Sequence, residues 1–474
     1  MNNNFTIEKI NRELNNKIIS CVDLIKDCIK KIKSDNLNDF ITIFENDSIE
    51  QAQKIDEKIK SGKKLELLEG VPIAIKDNIL VKDHKTTAGS KMLSNYVASY
   101  DAYVIKKLKQ SGVIILGKTN MDEFAMGSSN ETSFFGPVLN PHDRKRVSGG
   151  SSGGSAVSVA SGHCAVALGS DTSGSIRQPA SFCGVCGLKP SYGRISRNGL
   201  ISLASSFDQI GPIANSSLDC AILFNVIVGK DDDDATNLNT KKVNIRNIKS
   251  KIKNITIGIP KNFDNFVTDK NILESFDKLI KDLRGAKIKI KEINMSFIDE
   301  ALAAYCIIQP AESSSNLAKY DGFRYGFDSK VYDSLDDAYK KNRTMGMGDE
   351  VKRRILIGNY VLSSGYKEAY YNRAMLVQGD IKNKLNEIFK NVDFIITPTT
   401  PTKAFKIGEK LKDPLKMYFS DIFTVSASIA DIPAISIPLK SNDLPIGLQI
   451  MGKYMDEENV LKLAWNLEKN FINK

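Results

Sequence analysis

From Val147 to Gly162 the chain reads VSGGSSGGSAVSVASG, and from Ala167 to Pro190 it reads ALGSDTSGSIRQPASFCGVCGLKP. Stretches this rich in glycine and serine are commonly flexible linkers. This one is bordered by apolar, strand-like residues and carries Ile176, Arg177 and Pro179, so it belongs inside a folded body. With so few side chains to interpose, main chain there must pack closely on main chain. Gly149, Gly150, Gly153 and Gly154 permit that approach. Two serines, Ser151 and Ser175, stand in the two halves of the tract.

A serine becomes a nucleophile only beside a proton acceptor. The chain has three histidines, His84, His142 and His163, and none falls in a spacing that suggests a base or a ligand. The best remaining acceptor is Lys76, in the run GVPIAIKD from Gly70 to Asp77. On a strand, Pro72, Ala74 and Lys76 share one face. A lysine in water titrates near ~10.4, so it must lose roughly three units, about 4 kcal/mol, to act as a base near neutrality. Burial between apolar strands supplies a shift of that size. Ser151 suits a bridging role, because a hydroxyl can donate to the amine while accepting from Ser175. The main-chain N–H groups of Thr172, Ser173 and Gly174 can converge on a developing oxyanion, each worth ~2.7–4 kcal/mol in the transition state. The reaction class is acyl transfer by a serine hydrolase with a neutral lysine as base.

Composition narrows the setting. A 474-residue chain with 42% hydrophobic and 26% charged residues is an ordinary globular protein, long enough for one large α/β domain or several smaller ones. No stretch approaches the ~20 apolar residues of a membrane span, and the N-terminus lacks a signal-peptide core, so a cytoplasmic location is expected. The net charge of +10 is spread among interspersed acids and bases and reads as a solvated surface. Seven cysteines, an odd number spread along the chain, make a disulfide framework improbable. Cys183 and Cys186 form a CxxC without the second ligand pair that zinc needs, so no metal site is expected and both read as buried thiols. Gly112 to Thr119 matches the phosphate-loop pattern GxxxxGK[ST]. Its variable positions are Val-Ile-Ile-Leu, which favour a strand over a phosphate-wrapping turn.

Periodicity predicts two helices within 6–34, the second capped by Ser20, and another over 47–61. The Lys76 strand follows, then a helix over 100–111, a strand over 112–117 and a polar loop from Thr119. A small-residue helix covers Ser155 to Ser161 and a short strand Ala165 to Leu168, while Asp231 to Asp234 reads as an exposed connection. Strands are expected at 254–260, 286–293, 393–397, 433–438 and 446–451, with mainly helix from Ser296 to Leu376 and a closing helix near 455–469. Strands alternating with helices argue for an α/β architecture.

GGSSGGS at 149–155 and GSDTSGSIRQPA at 169–180 resemble the paired motifs of the amidase signature family, with matching spacing from about residue 20 onward. The resemblance implies a single α/β/α domain over 1–474, a mixed β-sheet covered by helices on both faces. Its parts are an N-terminal helical segment (1–65), the signature core (66–230), and a glutamine-binding, partner-contacting half (231–474). The family's catalytic lysine, its bridging serine after a cis peptide, and its nucleophilic serine fall on Lys76, Ser151 and Ser175. Ser173 departs from the pattern, which more often has glycine there. The segments 311–326, 350–371 and 413–438 are similar to the glutaminase branch of that family, whose members serve tRNA-dependent amidotransferases. That likeness implies hydrolysis of L-glutamine, with Arg354 on the α-carboxylate, Asp421 on the α-amino group and Tyr305 closing the pocket. Helical spacing places Arg354 on a stripe with Val351, Gly358 and Val361, although the basic run 352–354 also reads as a solvated face. The likeness further implies a B subunit that uses ATP and magnesium, a small C subunit, charged tRNA reached through the complex, and no cofactor in this chain. The alternative is a stand-alone amidase acting on small amides.

Overall fold

The computed structural model describes residues 5–472, so the ends of the expected 1–474 domain, residues 1–4 and 473–474, lie outside the described residues. Eleven strands form one sheet: β1 Phe40–Ile43, β2 Pro72–Lys76, β3 Ile114–Thr119, β4 Val166–Asp171, β5 Cys186–Lys189, β6 Gln209–Ala214, β7 Thr256–Pro260, β8 Lys289–Ile293, β9 Phe394–Pro398, β10 Ala434–Leu439 and β11 Ile446–Met451. Their order is β1-β3-β2-β4-β6-β5-β10-β11-β9-β7-β8. β2 lies parallel to β3 and β4, and β7 parallel to β8 and β9, while the remaining pairs are antiparallel. The sheet is mixed, as expected.

Burial explains the order. β2 (PIAIK) and β4 (VALGSD) are buried along their whole length, as strands covered on both faces must be. β8 (KIKEI) is mostly exposed and lysine-rich, a composition that discourages pairing at an open edge. Adjacent residues of β5 show helices on both sides of the sheet. Gly187 lies against Ala180 of the helix Arg177–Cys183 and against Ile176 just before it. Cys186, pointing the other way, contacts Glu468 just past the helix Glu457–Leu467.

The periodic segments fall where expected, including helices at Ile7–Asn15, Cys21–Asp35 and Glu45–Lys60, with Ser20 accepting from the Asp23 amide at 3.0 Å. β1, β5, β6 and the helices Arg177–Cys183 and Ser217–Ile227 went unpredicted. They are too short, or too uniformly apolar, to show a period. The Asp231–Asp234 connection is only partly exposed. Asp231 accepts from the Ser196 hydroxyl at 2.5 Å and Asp234 from the Arg197 amide at 2.8 Å, pinning the 196–197 turn. Cys183 and Cys186 are buried thiols, bonded to the Ser148 carbonyl at 3.3 Å and to Glu468 at 3.0 Å. Among the described residues, no helix is long and apolar enough to cross a membrane.

Candidate active site

Lys76 ends β2, where the parallel neighbour β4 brings Ser170 alongside, Ile75 standing opposite Leu168. Its buried Nζ lies 2.8 Å from Ser151 Oγ, 2.8 Å from Ser152 Oγ and 3.2 Å from the Ser170 carbonyl oxygen. Both hydroxyls come from the turn that enters the helix Gly153–Ala160, and the Gly150–Ser151 peptide is cis. Gly150 has no room for a side chain, because a Cβ would collide with the Asp122 carboxylate. Burial lowers Lys76 from its ordinary 10.5 to about 7, against the opposing pull of Asp122, Asp171 and Asp208. At pH 7 about half of such lysines are neutral, against roughly one in three thousand in water.

The hydrogen bonds assign the hydrogens around a neutral amine. The Ser152 hydroxyl donates to the Ser170 carbonyl at 3.1 Å, so its oxygen accepts from lysine. The Ser170 carbonyl can only accept. The two N–H groups are thereby committed, and the lone pair faces Ser151, whose O–H donates to it.

Ser175 lies on the loop between β4 and the helix Arg177–Cys183. Its carbonyl accepts from the Ser152 amide at 3.1 Å, which ties the two serine loops together. Among the described residues its hydroxyl makes no hydrogen bond, so the structure joins Lys76 to Ser151 but does not close a bond from Ser151 to Ser175. The amides of Thr172, Ser173, Gly174 and Ser175 have no acceptor among the described residues. Ser173 is not among the residues with positive φ, so its backbone does not require glycine. Gly174 does need to be glycine, since a Cβ would meet the Thr424 hydroxyl. The buried Arg177 anchors the loop, pairing with Asp171 at 2.9 Å and donating to Gln449 and the Thr424 carbonyl at 2.7 Å each.

The three expected substrate contacts gather beside this loop. Arg354 is buried on the stripe Val351–Arg354–Gly358–Val361 of the helix Asp349–Leu362, while Lys352 and Arg353 are partly exposed. Its Nε donates to Glu350 at 2.7 Å and its Nη1 to Gln309 at 2.7 Å, and the guanidinium lies over the Tyr418 ring. Asp421 is buried, with Oδ2 accepting from the Ser128 and Ser173 hydroxyls at 2.8 and 2.9 Å. Its Oδ1 has no partner among the described residues. Burial pushes the Asp421 carboxyl up to about 6. The buried Tyr305 phenol has Ser173, Arg354 and Asp421 as neighbours, and burial raises its titration.

Sequence reading missed Ser152, Ser128, Glu350 and Gln309. Ser152 adjoins Ser151 in the motif itself, and Gln309 and Glu350 lie one helical turn from Tyr305 and Arg354, signals that were available. Ser128 sits in an irregular loop and carried no such signal. The phosphate-loop look-alike is a strand, with buried Lys118 donating to the Ile79 carbonyl at 2.5 Å and Thr86 at 3.0 Å and pairing with Asp77 at 3.3 Å. His163 is held between Asp39 and Asp35, at 2.8 and 2.9 Å.

A buried lysine, about half neutral at pH 7, under two serine loops on a mixed α/β/α sheet is the arrangement of an amide-cleaving serine hydrolase, and the comparisons agree. The Amidase family matches residues 23–461, and the chain belongs to that family. The A subunit of the glutamyl-tRNA(Gln) amidotransferase of Thermoanaerobacter pseudethanolicus is 48% identical over 468 residues, which is 98% of this chain and 96% of that one. The crystal structure of the corresponding A subunit from Thermotoga maritima, also of a glutamyl-tRNA(Gln) amidotransferase, is 40% identical, with a TM-score of 0.81 over 98% of this chain and 94% of that one. The peptide amidase from Stenotrophomonas maltophilia, 24% identical with a TM-score of 0.76 over 98% of this chain and 96% of that one, shares the fold.

Proposed function

We propose that this chain is the glutamine-hydrolysing subunit of a tRNA-dependent amidotransferase, supplying ammonia for the conversion of Glu-tRNA(Gln) to Gln-tRNA(Gln) in the cytoplasm. The observation that carries the chemistry is the buried Lys76 amine, about half neutral at pH 7 and 2.8 Å from Ser151. The two relatives named for the glutamyl-tRNA(Gln) amidotransferase support the choice of substrate and setting.

Glutamine's α-carboxylate pairs with Arg354 and its α-ammonium with Asp421, with Tyr305 closing the pocket. The side-chain carboxamide then lies over Ser175. As Ser175 Oγ attacks the carboxamide carbon, its proton passes to Ser151 while the Ser151 proton passes to Lys76. The carbonyl oxygen takes up negative charge facing the free amides of residues 172–175. When the C–N bond breaks, the proton returns through Ser151 to nitrogen, and ammonia leaves. Water, deprotonated by the same relay, then cleaves the glutamyl ester and releases glutamate, restoring the Ser175 proton. Ammonia passes to a B subunit, which uses ATP and magnesium to activate the tRNA-bound glutamate, and a small C subunit completes the heterotrimer.

Replacing Ser175→Ala is expected to lower ammonia release from glutamine by ~1,000-fold or more. The assembled complex should still amidate charged tRNA when given free ammonia. Unchanged glutaminase activity would remove Ser175 as nucleophile. Efficient turnover of small amides by the isolated chain, unaffected by partner subunits, would favour the stand-alone amidase instead.

A further inference from the structure

Gln309 is wholly buried, yet only half of its carboxamide is in use. It lies one turn beyond Tyr305 on the helix Ile298–Asn316, so the two side chains share a face. Its Oε1 accepts from Arg354 Nη1 at 2.7 Å. That bond sets the amide's orientation, because a flipped amide would bring N–H groups against the guanidinium. Nε2 is then left with no partner among the described residues. A buried donor in that state is costly, and native proteins carry few of them.

Two neighbouring groups also have hydrogen-bonding capacity to spare. Arg354 Nη2 makes no hydrogen bond among the described residues, and Asp421 Oδ1 is buried without a partner. Tyr305, with Arg354 and Asp421 both as charged neighbours, links them. The set thus offers unmet donors of two kinds, one neutral and one charged, and one unmet anionic acceptor. A free α-amino acid has the opposite inventory, a carboxylate that only accepts and an ammonium that only donates.

We propose that Gln309 is a further substrate-binding residue whose carboxamide N–H groups, together with Arg354 Nη2, receive the α-carboxylate of the amide substrate. The assignment rests on the glutaminase reading given above and adds a specificity element to it. A substrate lacking the carboxylate leaves both donors unmet, the Gln309 donor in a buried position, and sites built this way reject such analogues strongly. Glu350 holds the Nε edge of Arg354 and Gln309 holds Nη1, so the remaining Nη2 is directed by its own supports.

The test is Gln309→Glu in the full-length protein, assayed on L-glutamine and on 4-aminobutanamide, which is glutamine without its α-carboxylate. This change keeps an oxygen for Arg354 and removes the donor. The ratio of kcat/KM for glutamine over 4-aminobutanamide is expected to fall about tenfold or more, mainly through KM for glutamine. Gln309→Met, which removes the donor without adding charge, should lower the same ratio. In the Ser175→Ala background, glutamine should raise the thermal midpoint, and adding Gln309→Met should diminish that rise. Equal losses on both substrates, leaving the ratio unchanged in both variants, would overturn the assignment and leave Gln309 a purely structural residue. A wild-type protein that hydrolyses 4-aminobutanamide through Ser175 but releases no ammonia from glutamine would instead sink the glutaminase reading, and the carboxylate contact with it.

Discussion

At Lys76 the decisive quantity is the number of hydrogens. A cationic amine has three to give, and its three oxygen neighbours could take them all. A neutral amine has two, and the lone pair it gains falls to the one neighbour free to donate, Ser151. In the proposed mechanism two titrations therefore bear on glutamine turnover. Lys76, at about 7, must lose a proton to act as base, and Asp421, at about 6, must be ionised to meet the ammonium. Both requirements fail on the acid side. On this reading kcat/KM, which reports the free enzyme, should fall about tenfold per pH unit below 7 and approach about a hundredfold per unit below 6. Asp421→Asn should lower kcat/KM overall and abolish the steeper second limb. A single-slope acid limb in the wild-type enzyme would remove Asp421 from the substrate contacts. Ser173 belongs at this scale as well. Its hydroxyl shares Asp421 Oδ2 with Ser128, a contact glycine could not make, and this leaves Oδ1 as the free oxygen.

Among the elements, the helices Ile298–Asn316 and Asp349–Leu362 carry the proposed substrate contacts Tyr305, Gln309 and Arg354. They pack so closely that a Cβ on Gly358 would run into the Pro310 carbonyl oxygen and lie 2.7 Å from both Pro310 C and Ser314 Cβ. Alanine normally gains up to ~1 kcal/mol over glycine inside a helix. Overpacking against backbone costs ~1–3 kcal/mol, so the clash wins. Gly358→Ala is expected to lower the thermal midpoint and to raise KM for glutamine, because Arg354 lies one turn earlier on the same stripe. A midpoint equal to or above wild type, with KM unchanged, would contradict this. The stripe itself was legible in the sequence, since Val351, Arg354, Gly358 and Val361 follow helical spacing. The contact of this stripe with Gln309 was not, because Gln309 and Arg354 are 45 positions apart.

For the molecule as a whole, the single sheet joins two long stretches of chain through the β5–β10 pairing. Buried polar contacts cross the same boundary. Arg177 bonds to Thr424, Ser428 and Gln449, while Cys186 and Ser217 both contact Glu468. Separating the halves would leave these groups unpaired, at roughly 1–3 kcal/mol each and more for the charged ones. Lys241 and Lys242 lie outside regular structure and are exposed, and they offer trypsin a cut between the halves. Chain nicked there should elute as one particle and come apart only in denaturant. Separate elution in native buffer would mean that the halves are independent units.

Local order along the chain was enough to specify the elements with a strong period, the tract that must pack backbone on backbone, and the absence of any histidine suited to serve its serines. Those features are written in neighbouring residues, over distances that helical and strand geometry span directly. Tertiary structure alone decided the strand order, the burial that brings Lys76 to about 7, and the union of Lys76, Ser151 and Ser170 at one nitrogen. It also decided which polar atoms keep a partner and which are left open. Desolvation and hydrogen-bond satisfaction depend on everything packed around an atom, and those neighbours come from remote parts of the chain.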